Sequence, residues 1–211
     1  MDLIKWNLIN NSKIDNKSGI YAWYYSITIG DIDIKNIERK LNENITDTSK
    51  KELLRIFLNK HIFDFYKEDD YQAKIYGKLM PSFTGYLIHN DSVSAALIER
   101  IIQYPESLRE IKKFFSHLNS DFSSPIYIGM AENLCTRLLK HKHLIEKFKE
   151  NKTSHDNFDD RDESFAARVV SRGMIETNLR VSIRYVESEI KSNNILENLL
   201  NRINHPVLGR N

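Results

Sequence analysis

Arg137 and His141 stand four residues apart, and Asn133 precedes them by another four, in the stretch P-I-Y-I-G-M-A-E-N-L-C-T-R-L-L-K-H-K-H from Pro125 to His143. Residues at i, i+4 and i+8 share one side of an α-helix, so a guanidinium and an imidazole are held along one rigid stripe. A guanidinium presents a planar fork of donors that never loses its charge, and an imidazole changes charge near neutral pH. Beside the phenol of Tyr127, which precedes them in the chain, they make a set suited to handling an anion, phosphate above all.

The elements that must position these groups are legible in the same stretch. Ile126-Tyr127-Ile128 is β-branched and aromatic, and Gly129 closes it where the backbone must turn. Asn133 offers a capping side chain to the first turn of the next helix. Leu134, Leu138 and Ile145 recur at helical spacing, which predicts a buried stripe next to the Arg/His stripe. Upstream, G-I-Y-A-W-Y-Y from Gly19 to Tyr25 predicts another aromatic strand. Downstream, L-R-V-S-I-R-Y-V from Leu179 to Val186 alternates apolar and polar and predicts a half-buried strand, and Asn193 to Ile203 predicts a closing helix ended by Pro206.

Ser18-Gly19-Ile20-Tyr21 and Tyr127-Ile128-Gly129 together resemble the paired signature of the GIY-YIG nuclease family. The resemblance continues through Asn133-Leu134, through Arg137 ten residues after Tyr127, and through Glu197 nine residues before Pro206. Each tripeptide alone is common; the ordered set is specific. It covers about half the chain, residues 18–25 and 125–211. It implies an α+β fold: a small three-stranded antiparallel sheet flanked by helices, its first two strands separated here by a large, mainly helical insertion. The implied division is an arm and first strand at 1–25, the insertion at 26–124 and the rest of the core at 125–211. It further implies phosphodiester hydrolysis with one divalent ion, magnesium or manganese, held by Glu197. Arg137 would grip the scissile phosphate. Tyr21 would act as base or water-positioner with Tyr127 packed beside it, and His141 would either activate a tyrosine or be the base itself. Glu187 and Glu189 compete with Glu197 for the carboxylate role, and Asn204 or Asn211 could stand in for an asparagine that family members place after the proline. A chain with a built-in insertion and no appended DNA-binding module is most similar to restriction-type members, which implies double-stranded DNA as partner and a homodimer to match its two-fold symmetry. A phage-defence or mobile-element role, a nuclease for RNA or branched DNA, and a non-catalytic nucleic-acid-binding module are the competing readings.

Composition is compatible with this. The 211 residues can bury a sizeable core, and their net charge is only +2. The charge is uneven: Arg137, Lys140, Lys142, Lys147, Lys149 and Lys152 face only Glu146 and Glu150 in the same segment. Lys140 and Asn133, with the pairs Arg168/Arg172 and Arg180/Arg184, are therefore the candidate phosphate-backbone contacts, against a competing role in surface ion pairs. The insertion from Ser26 to Ser124 carries 14 Lys/Arg against 15 Asp/Glu, net −1, and does not read as an electrostatic clamp. Cys135 is the only cysteine, no apolar run is long enough to span a bilayer and no signal-peptide pattern opens the chain, so a soluble, cytoplasmic protein is expected.

Within the insertion, Thr48 to Tyr66 predicts a helix with a broad apolar face, and Lys74 to His89 a turn-rich hairpin or loop. Asp91-Ser92 would cap a helix through Gln103, and Pro105 would open another to about Leu118. Glu163 to Gly173 predicts a helix with Phe165, Val169 and Val170 inward and Gly173 as its stop.

Overall fold

The computed structural model describes residues 3–10, 12–68, 70–77, 80–88, 93–117, 123–153, 164–186 and 192–209. In chain order the elements are β1 (Ile4–Lys5), β2 (Gly19–Tyr25), α1 (Asp31–Asn42), α2 (Asp47–Leu58), β3 (Tyr71–Gly77), β4 (Met80–Leu87), α3 (Ala95–Gln103), α4 (Ser107–His117), β5 (Tyr127–Ala131), α5 (Leu134–Thr153), α6 (Phe165–Ser171), β6 (Leu179–Tyr185) and α7 (Ser192–Asn204). The fold is mixed α+β, and no helix among the described residues is long and apolar enough to cross a membrane.

The chain divides into two compact units, residues 1–28 with 110–211, and residues 29–109. These divisions fall at 28/29 and 109/110, where the sequence reading places them at 25/26 and 124/125. The first unit keeps the chain past β2 because Ser26 N–H donates to the carbonyl of Asn178 at 2.9 Å and Asn178 Nδ2 to Thr28 Oγ1 at 2.8 Å.

In the first unit a four-stranded antiparallel sheet has the order β1-β6-β2-β5. The expected pairing of the two motif strands is present, with Tyr21 opposite Gly129 and Trp23 opposite Tyr127. The expected third strand is β6, which flanks β2 on its other side with Tyr21 opposite Ile183. The count of three is corrected to four: Ile4 and Lys5 pair with Val181 and Arg180. Burial of Trp6 and Ile9 draws the arm onto the sheet, and two residues are too few to carry an alternation signal.

Along β2 every second residue is buried, Gly19, Tyr21, Trp23 and Tyr25 on one face. Leu134, Leu138 and Ile145 of α5 and Phe165, Val169 and Val170 of α6 are buried as their spacing predicts. Gly173 ends the α6 region with φ +65°, a conformation that only glycine adopts without strain.

The second unit buries Ile34, Ile37 and Leu41 of α1, Leu54 and Leu58 of α2, Ile98 and Ile101 of α3, and Leu108 of α4. The sequence reading does not mark α1. Its N-cap is Gly30, which makes no side-chain capping bond, so no start signal precedes its i, i+3, i+7 stripe. The expected helix over 48–66 is α-helical only to Leu58, and Asn59–Phe63 widens into a π turn. Ser94 rather than Asp91-Ser92 caps α3, its hydroxyl accepting from Leu97 N–H at 3.2 Å. Asp91 and Ser92 lie outside the described residues, as does Leu118. The turn-rich stretch is a two-stranded hairpin, β3 paired with β4.

Candidate functional site

The site begins with two glycines. A Cβ on Gly129 would lie 2.6 Å from Tyr21 Oη and 2.9 Å from Tyr127 Cε1. Tyr21 therefore lays its ring across the gap left by the missing side chain of its partner on β5. A Cβ on Gly19 would meet the backbone carbonyl oxygen of Arg184 at 2.3 Å, so that residue sets the close approach of β2 to β6. Gly129→Ala is expected to expel the Tyr21 ring and cost about 1–3 kcal/mol of stability. Gly85→Ala, whose Cβ would meet nothing within 4 Å, is expected to stay within about 0.5 kcal/mol of wild type. Urea unfolding of the two variants side by side checks this, and equal midpoints would remove the close-approach argument.

Asn133 caps α5 as expected, its Oδ1 accepting from Thr136 N–H at 3.0 Å. The cap fixes the first turn, and the buried leucines fix the rotation about the helix axis. Arg137 and His141 are thereby aimed at β2. Tyr21 Oη lies 2.8 Å from His141 Nε2, and Arg137 Nε donates to the same oxygen at 3.2 Å. Arginine can only donate, and a phenol has one proton. The consistent arrangement runs from Arg137 Nε–H to Tyr21 Oη, and from Tyr21 O–H to His141 Nε2, with the imidazole proton on Nδ1.

The electrostatics agree with that direction. Burial, with Arg137 and Lys140 adding to it, pushes His141 down to about 3, so its ring is neutral and free to accept. Burial likewise raises the Tyr21 phenol, and the neighbouring Tyr127 phenol raises it further, while Arg137 works against both. Both shifts keep the proton on Tyr21, with His141 Nε2 as its hydrogen-bond acceptor and Arg137 Nε–H behind the oxygen. Tyr127 also interacts with Arg137, so both phenols and the guanidinium converge.

An aromatic box holds the imidazole. Phe165 stands edge-on to His141 with ring centroids 5.1 Å apart, Trp23 is edge-on at 6.3 Å, and Tyr127 lies 6.0 Å away. Phe165 also packs on Tyr127 at 4.7 Å. Trp23, Gly129 and Phe165 support this cluster, where sequence reasoning placed Trp23 only in an aromatic strand, Gly129 at a turn and Phe165 inward. Their signal was there in part: Phe165 reads as inward-facing, but nothing local says that it faces His141.

Glu197 on α7 joins the group. Its carboxyl is raised above the usual range by burial, against the opposing pull of Arg137 and of a hydrogen bond from the Met130 backbone on β5. The carboxylate is thus partly withdrawn from water and electrostatically coupled to Arg137. The competing Glu187 and Glu189 lie outside the described residues, as does Asn211. Asn204 Nδ2 donates back to the carbonyl of Leu200 at 2.8 Å, within its own helix.

The candidate phosphate contacts fare differently. Lys140 is exposed on α5, and with His143 and Lys147 it forms an outward stripe beside Arg137. Lys142 instead donates to Asn10 Oδ1 at 3.1 Å over the Trp6 ring, and Lys149 pairs with Glu176. Arg168 Nη1 donates to the carbonyl of Gly209 at 2.8 Å and ties the segment after α7 to α6, while Leu208 N–H of the same segment donates to the carbonyl of Ile126, just before β5, at 2.7 Å. Arg172 is the C-cap of α6. Arg180 and Arg184 donate to nearby backbone carbonyls on and beside β6.

Among the described residues no group of three or more His, Cys, Asp or Glu side chains is placed to hold a metal ion. Glu197 is the described carboxylate that would hold a divalent ion here, with oxygens of water and phosphate available to its shell. That suits magnesium, which keeps several waters and uses few protein carboxylates. A carboxylate whose ionisation is disfavoured by burial is also one whose charge a cation would offset. Comparison of the chain with protein-family models, with curated proteins and with solved structures gives no match.

Proposed function

We propose that this protein is a metal-dependent DNA endonuclease of the GIY-YIG type. The observation that carries the reading is the convergence on one phenol oxygen: Arg137 Nε at 3.2 Å and His141 Nε2 at 2.8 Å from Tyr21 Oη, with Tyr127 and Glu197 both coupled to Arg137. An isolated structural ion pair would not need an uncharged imidazole behind a tyrosine. Phosphodiester hydrolysis needs a base for water, a countercharge for the transition state and help for the leaving oxygen. In the proposed course Tyr21 Oη accepts a proton from the attacking water as it passes its own proton to His141 Nε2. Arg137 balances the charge gathering on the phosphoryl oxygens, and Tyr127 holds the guanidinium and the Tyr21 ring in place. Glu197 would hold the divalent ion, which when bound supplies charge neutralisation at the phosphate and polarises water. Lys140 and Lys147, with His143 between them, extend the basic side of Arg137 along α5, in line with backbone contacts to a duplex. A restriction-like or phage-defence role, with a homodimer cutting both strands, is the form of the reading that double-stranded DNA favours.

Incubation with mixed plasmid and phage DNA tests the proposal directly. Cleavage is expected in magnesium, is expected to vanish in EDTA and to return when magnesium or manganese is added in excess. Cleavage undiminished by EDTA would remove the metal from the scheme. No cleavage of any duplex under either condition would overturn the DNA-nuclease reading.

A further inference from the structure

The hairpin β3–β4 carries chemistry that the proposed active site does not use. Every residue of β3 except Ala73 is exposed, and so is every residue from Pro81 to Ile88. Opposed residues of an antiparallel pair share a face, and faces alternate along each strand. Gln72 opposite Tyr86 and Lys74 opposite Thr84 therefore form one face. Tyr71 opposite Leu87, Ala73 opposite Gly85, and Ile75 opposite Phe83 form the other. One face is thus a cluster of hydrogen-bonding side chains and the other is largely apolar, and both are open to solvent: Tyr86 is 67 % exposed on the first, Ile75 68 % on the second.

We infer that this ribbon is a DNA-reading element that enters the major groove with its Gln72, Lys74, Thr84 and Tyr86 face toward the base edges. Shape is the first argument: two strands about 4.8 Å apart, with their side chains, match a groove about 12 Å wide that admits a two-stranded β-ribbon. Chemistry is the second. Gln pairs with adenine edges, Lys with guanine O6 and N7, and Thr donates, accepts or packs on a thymine methyl. Charge is the third: residues 71–88 contain Lys74 and Lys78 and no carboxylate, whereas residues 26–124 as a whole are net −1. Two of the insertion's 14 basic residues and none of its 15 acidic ones lie in this stretch, a local net of +2 for a polyanion to meet. The inference rests on the DNA reading above and supplies its specificity.

The experiment separates the two. The intact protein in EDTA is equilibrated with a pool of duplexes carrying a randomised centre, and the bound fraction is sequenced. It is repeated with Gln72→Ala/Lys74→Ala, and separately with Ile75→Asp/Phe83→Asp. All four positions are exposed, so the fold is not at stake. The wild-type protein is expected to enrich a motif, and Gln72→Ala/Lys74→Ala to lose at least about tenfold of that enrichment. Overall duplex affinity should fall much less. The same motif at equal enrichment from both proteins would overturn the inference while leaving the nuclease reading intact. Ribbon-dependent enrichment by a protein that cuts nothing in magnesium would do the reverse. If neither protein binds duplex, or if only the Ile75/Phe83 variant changes behaviour and does so by splitting a dimer, the ribbon is not a DNA reader.

Discussion

Arg137→Ala is expected to slow DNA cleavage by about 10²–10³-fold, the usual consequence of removing one preorganised donor from a developing anion. Its melting temperature should stay within a few degrees of wild type. Arg137 is only half-buried, and without it Tyr21 keeps its 2.8 Å bond to His141, so no buried polar atom is stranded. Arg137→Lys restores the charge but not the directed Nε–H, and should recover only a minor part of the rate. Glu197→Gln keeps the side-chain volume and removes the charge coupled to Arg137. It should abolish the response to added magnesium at concentrations that saturate wild type. The two changes remove different things, a phosphate countercharge and an ion's carboxylate, so each alone should suffice to stop cleavage. Single-turnover rates on one plasmid substrate, beside thermal melts of all four proteins, decide the matter. If Arg137→Ala cuts within about threefold of wild type, the guanidinium is not at the reacting phosphate and the site is elsewhere.

The part of this arrangement legible in the sequence is the part with short-range grammar. Asn133 as a cap, the Leu134/Leu138/Ile145 stripe and the Arg137/His141 spacing are all encoded within α5 and all appear as read. Tyr21 meets His141 across 120 positions of chain, and only the register of β2 against β5 makes that possible. No periodicity announces a register. The glycine opposite Tyr21 looks locally like a turn signal, yet its role is to leave room for a ring. Phe165 likewise reads as one more inward residue of a short helix, because an aromatic box is a property of three elements at once. The second unit was legible in outline, since the 95–103 helix, the first residues of the 107–117 helix and the hairpin follow turn and capping signals. Its α1 was not, because a glycine N-cap gives no start signal ahead of a charge-rich helix whose stripe is only Ile34, Ile37 and Leu41.

The relay itself makes the sharpest demand on stability. In Tyr21→Phe the buried His141 Nε2 loses its donor, and in His141→Phe the buried Tyr21 hydroxyl loses its acceptor. Each single change should cost about 1–3 kcal/mol, because either the buried His141 Nε2 or the buried Tyr21 O–H proton is left unsatisfied. The double variant removes both partners and keeps both rings, so its cost should fall well short of the sum. Cleavage should respond differently: either single change removes the proton path, a loss of about 10²–10⁴-fold, and the double variant should be no worse. Acid supplies an independent check on the sign. His141 is held at about 3 in the folded chain against an ordinary value of 6.5, so below pH 6.5 the unfolded state takes up a proton that the folded state refuses. This single group should therefore lower stability by up to about 1.4 kcal/mol for each pH unit between 6.5 and about 3, and contribute nothing above pH 7. Urea melts of wild type and His141→Phe at pH 7.5, 6 and 5 isolate that contribution, because the variant lacks the titrating ring and keeps every other acid-sensitive pair. A gap between the two proteins that narrows steadily toward pH 5 is the expected result. A gap that holds constant would mean that His141 titrates in the folded protein as it does unfolded, one that widens that folding favours its charged form, and either would remove the burial that keeps the acceptor neutral.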